Sequence, residues 1–379
     1  MSRSKKIKIE NITVTKPSLP DLDEFIPYLK EIWNNKWLTN NGPFHQQLEK
    51  KLEEFLGVEH VCLCSNGTLA LMLALKALNI KGEVITTPFS FVATSHAIAW
   101  SGCKPIFSDI EENSFNLDPE HIENKITPKT TAIMPVHVYG NPCDNEKLSL
   151  IAEKYGLKLI YDAAHAFHVN KDGMSILNWG DLSVLSFHAT KVFNTFEGGA
   201  IICHSEEMKQ RINDLKNFGF HDEVTVSDIG INAKMNEVQA AMGLVQLKSI
   251  DKLIDKRKSI AKFYSDRLTK ISGIKIFDVD ATIKSNYAYY PILIDDKGYG
   301  MTRDELYSEL INHQIFSRRY FYPLISDMPM YKDLESSNPE DLPIAKKISE
   351  QVLCLPIYPD LKNVEVEKII SIIERYHRS

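Results

Sequence analysis

One apolar run of the sequence ends with an acid, in the stretch Leu157-Lys158-Leu159-Ile160-Tyr161-Asp162-Ala163-Ala164-His165. The run and its flanking residues predict a buried β-strand that ends at Asp162. In an open α/β sheet, an acid at the carboxyl end of a strand points into the crevice where such sheets bind ligands. We therefore predict that Asp162 belongs to a ligand-binding site.

A second stretch, Ser186-Phe187-His188-Ala189-Thr190-Lys191, also follows an apolar run and precedes a sharp turn at residues 197–200. Taken alone, Lys191 fits a solvated surface charge. Together with Asp162, it becomes a candidate Schiff-base former, which needs an environment that lowers its pKa and a cofactor to hold. The end of the strand at Asp162 is a suitable place for that cofactor.

Residues 44–204 alternate helical patterns with short apolar runs. A helix is predicted from Phe44 to a stop at Gly57, before a strand at residues 58–64. Asp118-Pro119-Glu120 marks another helix start, because a capping side chain precedes a proline and an acid. The remaining predicted strands are residues 84–86, 105–107, 132–134, 157–161, 182–185 and 200–203. This alternation predicts an α/β fold with a parallel sheet.

The pattern changes after residue 205. A long, highly charged helical stretch is predicted at residues 236–268, followed by a strand at 287–294 and a helix at 302–313. Residues 364–376 predict an amphipathic helix with isoleucines on its apolar face. We predict a large domain at residues 1–249 and a smaller C-terminal α/β domain at residues 250–379.

Composition excludes several classes of protein. The chain has 379 residues, 44% of them hydrophobic, and a net charge of −6 at pH 7. It has no apolar run of transmembrane length, and its only basic cluster is Lys5, Lys6 and Lys8, so neither a membrane nor a nucleic-acid partner is expected. The six cysteines lack C-x-x-C spacing and the N-terminus lacks a secretory signal. We therefore predict free buried thiols and a cytoplasmic protein.

Ser65-Asn66-Gly67-Thr68 lies between a predicted strand and a predicted helix. Backbone amides and the Thr68 hydroxyl at such a helix N-terminus can face a phosphate, although a simple capping turn is the commoner role. No Walker-type lysine follows and no G-x-G-x-x-G motif occurs, which disfavours nucleoside triphosphates and a Rossmann dinucleotide. Phe91 follows the next strand and could stack on a planar ring, but taken alone it fits a core residue better.

Together, these residues resemble the sugar-nucleotide aminotransferases of the DegT/DnrJ/EryC1/StrS family, and the resemblance covers nearly the whole chain. Each motif is modest alone, but the ordered set is highly specific. In chain order the motifs are Trp37-Leu38-Thr39-Asn40-Asn41-Gly42-Pro43, residues 65–68, Phe91-Val92-Ala93-Thr94, Pro135-Val136-His137-Val138-Tyr139-Gly140, Asp162-Ala163-Ala164-His165-Ala166, residues 186–191, Glu197-Gly198-Gly199 and Gly230-Ile231-Asn232-Ala233-Lys234-Met235. The resemblance implies the fold-type I architecture of enzymes that use pyridoxal 5'-phosphate (PLP).

The resemblance also implies roles for individual residues. It makes Lys191 the catalytic, Schiff-base lysine and Asp162 the partner of the pyridinium nitrogen, because a buried carboxylate keeps that nitrogen protonated. In the same pattern the phosphate binds Gly67, Thr68 and Ser186, the ring packs on Phe91, and the ring hydroxyl lies beside His165. Asn232 reaches the phosphate of a neighbouring subunit, which implies a homodimer with shared active sites.

Three positions depart from the family pattern. Glutamine is commoner than His165, glycine is frequent in place of Phe196, and arginine is frequent in place of Lys234. None of these changes removes an essential group. His165 still forms hydrogen bonds, although its charge would then depend on pH.

Several histidines raise the question of a metal. Histidines three apart on a helix share one face, so His165 and His168 could suggest a site. No further ligands are identifiable, and no metal is expected. His137 and His188 fit structural positions near the cofactor pocket.

The implied reaction is reversible amino transfer with ping-pong kinetics, in which L-glutamate gives up its amino group, 2-oxoglutarate leaves, and Lys191 moves the proton. Residues 36–42 and 187–199 are most similar to members that convert dTDP-4-keto-6-deoxyglucose into dTDP-4-amino-4,6-dideoxyglucose, for O-antigen or a related surface glycan. The closest alternatives are a 3-amino product from a 3-keto sugar and the galacto epimer of the 4-amino sugar.

Two other classes are weighed against this interpretation. A dehydratase branch of the fold carries histidine in place of the Schiff-base lysine, and a non-catalytic regulator could lose the lysine or the aspartate. Lys191 and Asp162 are both present, which disfavours both classes. Substrate contacts from residues 37–43 and 318–322 stay open, because the two arginines of the second segment could equally be solvated or paired.

Overall fold

The computed structural model describes residues 11–277 and 279–377, so Lys5, Lys6 and Lys8 lie outside the described residues. The strands are β1 (Ile12–Thr13), β2 (His60–Cys64), β3 (Glu83–Thr86), β4 (Lys104–Phe107), β5 (Thr130–Met134), β6 (Lys158–Asp162), β7 (Asn170–Lys171), β8 (Met174–Ser175), β9 (Leu182–Ser186), β10 (Gly199–Cys203), β11 (Ile274–Ile276), β12 (Ile283–Lys284), β13 (Tyr290–Ile294), β14 (Ile315–Phe316) and β15 (Val352–Leu355). The α-helices are α1 (Leu22–Asn35), α2 (Pro43–Leu56), α3 (Gly67–Ala77), α4 (Ala93–Trp100), α5 (Pro119–Ile122), α6 (Asn145–Tyr155), α7 (Glu206–Lys216), α8 (Glu237–Leu247), α9 (Ile250–Leu268), α10 (Asp296–Tyr299), α11 (Arg303–Asn312), α12 (Pro343–Gln351) and α13 (Asn363–Tyr376).

Within the described residues, the largest sheet has seven strands in the order β2-β10-β9-β6-β5-β3-β4. Neighbouring strands are parallel except at β10, which runs antiparallel to both β2 and β9. Strands such as β3 and β10 are buried along their whole length, as expected for a sheet with both faces covered. The predicted, largely parallel sheet is confirmed, and β10 is its antiparallel exception.

The side chains of β2 alternate between two apolar clusters. Val61 and Leu63 pack with the apolar face of α2, whereas Cys62 and Cys64 pack with α3 on the other side of the sheet. This alternation follows from the two-residue period of a strand. All six cysteines are buried and free, which confirms the predicted free thiols.

The carboxyl ends of the parallel strands meet at one edge of the large sheet. β6 ends there at Asp162, and β9 ends there at Ser186. Helix α3 begins at Gly67, just beyond the end of β2, with Asn66 as its capping residue. This edge therefore gathers an acid, a hydroxyl and a helix N-terminus where open α/β sheets bind ligands.

A second, three-stranded antiparallel sheet, β11-β13-β15, lies in the C-terminal part. Helix α13 packs Ile369, Ile370 and Ile373 into the apolar cluster beneath it, which confirms the predicted amphipathic helix. The predicted helix at residues 302–313 is also confirmed, as α11. Strand β1 pairs with β14, so residues 12–13 attach to the C-terminal part. A domain division between residues 249 and 250 stays a prediction.

The single long helix predicted at residues 236–268 is wrong, because two helices occupy this stretch. Helix α8 ends at Leu247 and α9 begins at Ile250, and between them the Ser249 hydroxyl donates to the carbonyl of Gln246 at 3.4 Å. Apolar residues continue on both sides of this break. No glycine or proline lies at the break between α8 and α9, so the apolar pattern of the sequence continues through it without a signal.

The strand predicted at residues 287–294 begins later, at Tyr290. Tyr287 has a φ of 51°, in the left-handed region that a strand does not adopt. Its backbone amide binds the Ser285 hydroxyl at 3.1 Å, and the amide of Ala288 binds Asn286 Oδ1 at 3.0 Å. Residues 285–289 therefore form an irregular segment that is held by side chains.

Glu237 fixes the loop at residues 37–43. Its carboxylate accepts hydrogen bonds from the backbone amides of Phe44 and His45, each at 2.9 Å, at the start of α2. The N-cap residue of this helix is Gly42, which has no side chain to bind those amides, and a Cβ there would lie 2.5 Å from Glu237 Cδ. Glu237 thus supplies from α8 the cap that α2 lacks.

We expect Glu237→Gln to lower the free energy of unfolding by about 2 kcal/mol, because the new amide nitrogen is a donor that faces one of the two backbone donors in a buried site. Urea unfolding measures the difference. The exposed Glu350 in α12 gives a matched control, and Glu350→Gln is expected to stay within about 0.5 kcal/mol of wild type. Equal stability of the two variants would contradict the capping role.

Candidate active site

A cavity of about 760 Å³ opens at the edge of the sheet where β6 and β9 end. Most of the sequence-predicted site residues line it, namely Gly67, Thr68, Phe91, Asp162, His165, Ser186 and Lys191. Its volume falls within the range of small-molecule sites. The structure therefore brings together groups from four separate segments of the chain.

Lys191 lies in the turn after β9, where its amide binds the carbonyl of His188 at 2.9 Å. Its side chain is partly buried at the cavity wall. Burial lowers the pKa of Lys191 to about 8, and the charge of Asp162 opposes this shift. A substantial fraction of the amine is therefore neutral, and so nucleophilic, near that pH.

Asp162 is a buried carboxylate that accepts two hydrogen bonds. Its Oδ2 accepts a hydrogen bond from the Thr94 hydroxyl at 2.7 Å, and its Oδ1 accepts one from the amide of Ala164 at 3.1 Å. Burial raises the pKa of Asp162, while these hydrogen bonds and the charge of Lys191 oppose the shift. The carboxylate is thus held in one orientation and can compensate a cation inside the cavity.

The N-terminus of α3 forms an anion cradle against the end of β9. The Asn66 side chain caps the helix by accepting from the amide of Leu69 at 2.9 Å. A Cβ on Gly67 would lie 2.9 Å from Ser186 Cβ, so only glycine lets the helix start approach this strand end. Free amides of the first turn and the hydroxyls of Thr68 and Ser186 then line the same cavity, which suits a phosphate.

His165 lies in a turn after β6 and is buried. Its Nδ1 accepts a hydrogen bond from the amide of Tyr139 at 3.2 Å. Burial, and to a smaller extent the charge of Lys191, lowers the pKa of His165 well below its ordinary value. The neutral form of the ring is therefore favoured, and the expected change of charge with pH is moved to lower pH.

Phe91 is 59% exposed and lies on the cavity wall just before α4. Its interpretation as a core residue is therefore wrong. The neighbouring Phe89 is the fully buried aromatic of this segment, where it packs against Phe115 and Phe321. The two phenylalanines look alike in the sequence, and the structure places only Phe91 at the cavity.

Asn232 is exposed and lies outside this cavity in the described residues of one chain. It forms a bridge with Asn217, and the carbonyl of the adjacent Ala233 accepts from the amide of Ser65 at 2.8 Å. The segment before it exposes several apolar side chains, namely Phe218, Phe220, Val224, Val226, Ile229 and Ile231.

Two of the residues that depart from the family pattern, Phe196 and Lys234, have well-defined contacts in the structure. Phe196 has a φ of 66°, which explains why glycine suits this position, and its ring meets the edge of Phe25 at 6.2 Å. Lys234 donates to Asn217 Oδ1 at 2.7 Å and lies over the ring of Phe218 at 4.6 Å. Neither side chain lines the cavity within the described chain.

Several cavity residues were not predicted as site residues from the sequence. Thr94 orients Asp162, while Tyr289, Tyr320 and Phe321 reach the cavity from the C-terminal part. Arg319, left open above, is paired with Asp304 at 2.9 Å and lies over the ring of Tyr307. The only sequence signal for Tyr320 and Phe321 was their place in the segment at residues 318–322.

His165 and His168 lie in turns rather than on one face of a helix. His168 instead lies 2.8 Å from the amine of Lys284 and 3.5 Å from the carboxylate of Asp251. In the part of the chain that the structure describes, no three His, Cys, Asp or Glu side chains are grouped to hold a metal ion. The same residues include no helix with the length and apolar character needed to cross a membrane.

A buried acid, an amine with a lowered pKa and an anion cradle in one α/β cavity define an aminotransferase-like site. The family model of the DegT/DnrJ/EryC1/StrS aminotransferases matches residues 21–374, and the chain belongs to that family. Among its relatives are two proteins named dTDP-4-amino-4,6-dideoxy-D-glucose transaminase. The Escherichia coli protein is 55% identical and the Shigella dysenteriae protein 54% identical, and each match covers 96% of this chain and 98% of the relative.

The fold also matches solved structures of the family. A crystal structure of DesI in the presence of its TDP-sugar product superposes with a TM-score of 0.93 at 32% identity, over 97% of this chain and 93% of that one. The fold-type I architecture is thereby confirmed. The protein is an aminotransferase of a PLP-dependent family.

The residues of this chain fit PLP. The Gly67 and Ser186 cradle suits its phosphate, and the buried Asp162 carboxylate suits a protonated ring nitrogen. The amine of Lys191 lies in the same cavity with a pKa low enough to react with an aldehyde. When bound, PLP supplies the electron sink that amino transfer requires.

Proposed function

We propose that the protein transfers the amino group of L-glutamate to C4 of dTDP-4-keto-6-deoxyglucose, giving dTDP-4-amino-4,6-dideoxyglucose and 2-oxoglutarate. The observation that carries this proposal is the 55% identity to a dTDP-4-amino-4,6-dideoxy-D-glucose transaminase along nearly the whole chain. The cavity described above supports it, since it holds the amine, the acid and the anion cradle that the reaction needs.

Each side chain has a proposed part in that reaction. Asp162 keeps its charge beside the ring nitrogen of the cofactor, and Thr94 and the amide of Ala164 hold its orientation. Gly67, Thr68 and Ser186 bind the phosphate, and Phe91 covers the ring. These groups bind and orient, whereas only Lys191 carries a proton in each half of the reaction.

Lys191 is suited to carry that proton in both directions. Its pKa of about 8 lies close to the working pH of most enzymes, so neither the charged nor the neutral amine is strongly favoured. A proton carrier is most effective when its pKa is near the operating pH. We therefore expect ping-pong kinetics, in which glutamate and the keto sugar bind one after the other in the same cavity.

The test is NMR of the product formed from purified, PLP-loaded protein, L-glutamate and dTDP-4-keto-6-deoxyglucose. An equatorial C4 amine is the expected result. An axial C4 amine would identify the galacto epimer, and amination only of a 3-keto isomer would identify a 3-aminotransferase. Loss of a sugar hydroxyl without nitrogen transfer would point to a dehydratase.

The glutamate half of the reaction is tested without any sugar. Mixing PLP-loaded protein with L-glutamate is expected to release about one 2-oxoglutarate per active site, as ping-pong kinetics requires. L-Aspartate at the same concentration serves as the matched donor control. Release of oxaloacetate in preference to 2-oxoglutarate would overturn the choice of donor.

We further propose a homodimer in which Asn232 of one subunit reaches the phosphate bound by the other. The exposed apolar side chains at residues 218–231 support this, because contiguous exposed apolar surface marks interaction sites. The exposure of Asn232, away from the cavity of its own chain, is consistent with a role across the interface.

Co-expression of differently tagged Lys191→Ala and Asn232→Asp chains tests the shared site. Each variant alone is expected to be nearly inactive, since the new carboxylate of Asn232→Asp repels the phosphate. Mixed dimers then contain one intact site, so purified mixed dimers should recover about half the wild-type turnover. No recovery in mixed dimers would mean that Asn232 acts within its own subunit.

We propose that the protein works in the cytoplasm, where the six free thiols persist. The amino sugar would then be used for O-antigen or a related surface glycan. Deletion of the gene, followed by compositional analysis of the surface glycan, tests this role. An unchanged content of 4-amino-4,6-dideoxyglucose would contradict it.

A further inference from the structure

His165 occupies a position where glutamine is commoner in the family, and the two side chains differ in one respect. The amide nitrogen of glutamine is always a hydrogen-bond donor. A neutral imidazole has one donor and one acceptor nitrogen, and the tautomer decides which is which. A histidine therefore offers a defined donor here only if its surroundings fix the tautomer.

The surroundings of His165 provide such a constraint. The amide of Tyr139 donates to Nδ1 at 3.2 Å, so Nδ1 must be the acceptor and the ring proton must reside on Nε2. This donor is a backbone group with a fixed direction. Tyr139 has a φ of 58° and lies in the turn that follows β5, and its hydroxyl donates to the carbonyl of Tyr320.

Asn286 holds the backbone that carries the imidazole. Its side-chain nitrogen donates to the carbonyl oxygens of His165 at 2.8 Å and of Phe167 at 2.9 Å. Its Oδ1 accepts from the amide of Ala288 at 3.0 Å. Asn286 is fully buried, so these three bonds use both of its donor hydrogens and one acceptor position in a site from which water is excluded.

Gly140 closes this arrangement from the other side. Its φ is 87°, and a Cβ there would lie 2.8 Å from the His165 carbonyl oxygen and 3.1 Å from Asn286 Oδ1. The turn at Tyr139 and Gly140, the His165 backbone and Asn286 are therefore packed without space for adjustment. The imidazole also meets the edge of the Tyr289 ring at 4.9 Å, which limits its rotation.

We propose that His165 presents a fixed Nε2–H donor to the cavity and that Asn286 is the positioning residue that maintains it. The amide of Tyr139 sets the tautomer, and Asn286 holds the ring at the distance at which that amide can bind it. The inference rests on the proposed function in one respect, because the acceptor of this hydrogen bond is the ring hydroxyl oxygen of the bound cofactor.

The first test is the tautomer itself, read by ¹⁵N NMR on protein with labelled histidine. The chain has 12 histidines, and the signals of His165 are those missing from the spectrum of His165→Gln. We expect a protonated Nε2 and an unprotonated Nδ1 in the PLP-loaded protein. A proton on Nδ1, or on both nitrogens, would overturn the proposal.

The second test replaces Asn286 with aspartate, which keeps the shape of the side chain but turns oxygen towards two carbonyl oxygens. We expect mixed tautomers at His165, a displaced cofactor absorption band, and kcat lower by about 10- to 100-fold, as for a misplaced site group. The KM for the sugar should stay within about threefold of wild type, because sugar binding is not altered.

Asn178→Ala is the matched control. Asn178 also donates its side-chain amide to a carbonyl, that of Gly57 at 3.0 Å, but lies outside the cavity. If Asn286→Asp and Asn178→Ala both leave the His165 signals and the cofactor band unchanged, Asn286 has no positioning role.

Two substitutions of His165 test the donor. His165→Gln restores a permanent N–H donor and should keep the cofactor absorption close to wild type, whereas His165→Leu removes the donor and should shift it. Identical spectra for the two variants would contradict the proposal. Neither the tautomer nor the absorption band depends on the sugar substrate. Both tests can therefore be interpreted even if the proposed sugar reaction fails.

Discussion

Replacing Lys191 with alanine is expected to lower amino transfer by about 100- to 10,000-fold, the usual effect of removing a group that transfers a proton in the rate-limiting step. Among the residues that line the described cavity, Lys191 is the only lysine. The loss should appear in both halves of the reaction, because the same amine serves both.

The covalent role of Lys191 has a readout that does not depend on turnover. Borohydride treatment of PLP-loaded wild type should attach the cofactor to the peptide that contains Lys191, as measured by mass spectrometry. The control is Lys158→Ala, which removes an exposed lysine that pairs with Asp181 at 2.8 Å on the surface. Cofactor attached elsewhere, or full turnover by Lys191→Ala, would refute the assignment.

The large sheet could be predicted from the sequence because its signals are local. Each strand is a short apolar run between a helical pattern and a turn, and period-two burial follows from backbone geometry alone. Asp162 and Lys191 could be singled out for the same reason, since Asp162 ends one such run and Lys191 lies in the segment after another, which ends at Ser186. Their place at one edge then follows from the parallel order of the strands.

The remainder of the cavity depends on contacts between distant segments. Tyr289 and Phe321 reach it from beyond the helix α9, and Asn286 binds the backbone at His165 across more than a hundred residues of chain. Such contacts leave no periodic pattern in the sequence. The irregular segment around Tyr287 was predicted as a strand for this reason, because its conformation is fixed by side-chain hydrogen bonds rather than by glycine or proline.

Contacts between distant segments also account for the difference between Phe89 and Phe91. Both follow β3, and both are aromatic residues in an otherwise apolar segment. Packing with Phe115, Tyr139 and Phe321 buries Phe89 completely. Those partners come from three other parts of the chain, so only the tertiary structure decides which ring is left for the cavity.

Asp162→Asn is expected to have the second large effect, because it removes the charge and keeps the shape. The amide oxygen of asparagine can still accept from the Thr94 hydroxyl or from the amide of Ala164. The buried partner charge on the cofactor then lacks compensation, which costs about 3–5 kcal/mol. Turnover should therefore fall by about 100- to 5,000-fold.

In the cofactor-free protein, Asp162→Asn is expected to leave the stability of the fold unchanged or to raise it. Burial raises the pKa of Asp162, so its ionised form destabilises the fold, and this cost is present above the folded-state pKa. It disappears as the pH falls below the ordinary value of 3.8, where the carboxyl is protonated in both states. Asp162→Asn should therefore be at least as stable as wild type at neutral pH without PLP, and the difference should vanish in acid.

Comparison of the PLP-loaded and the cofactor-free protein separates a chemical role of Asp162 from a structural one. Asp181→Asn is the matched control, because Asp181 also accepts a backbone hydrogen bond, from Leu159 at 2.8 Å, but lies outside the cavity. Loss of turnover and of PLP retention in Asp162→Asn, combined with undiminished stability of its cofactor-free form, can arise only if the charge acts on the cofactor. If Asp162→Asn instead unfolds more easily in the absence of PLP, or turns over within twofold of wild type, the carboxylate serves the fold and another group must balance the ring nitrogen.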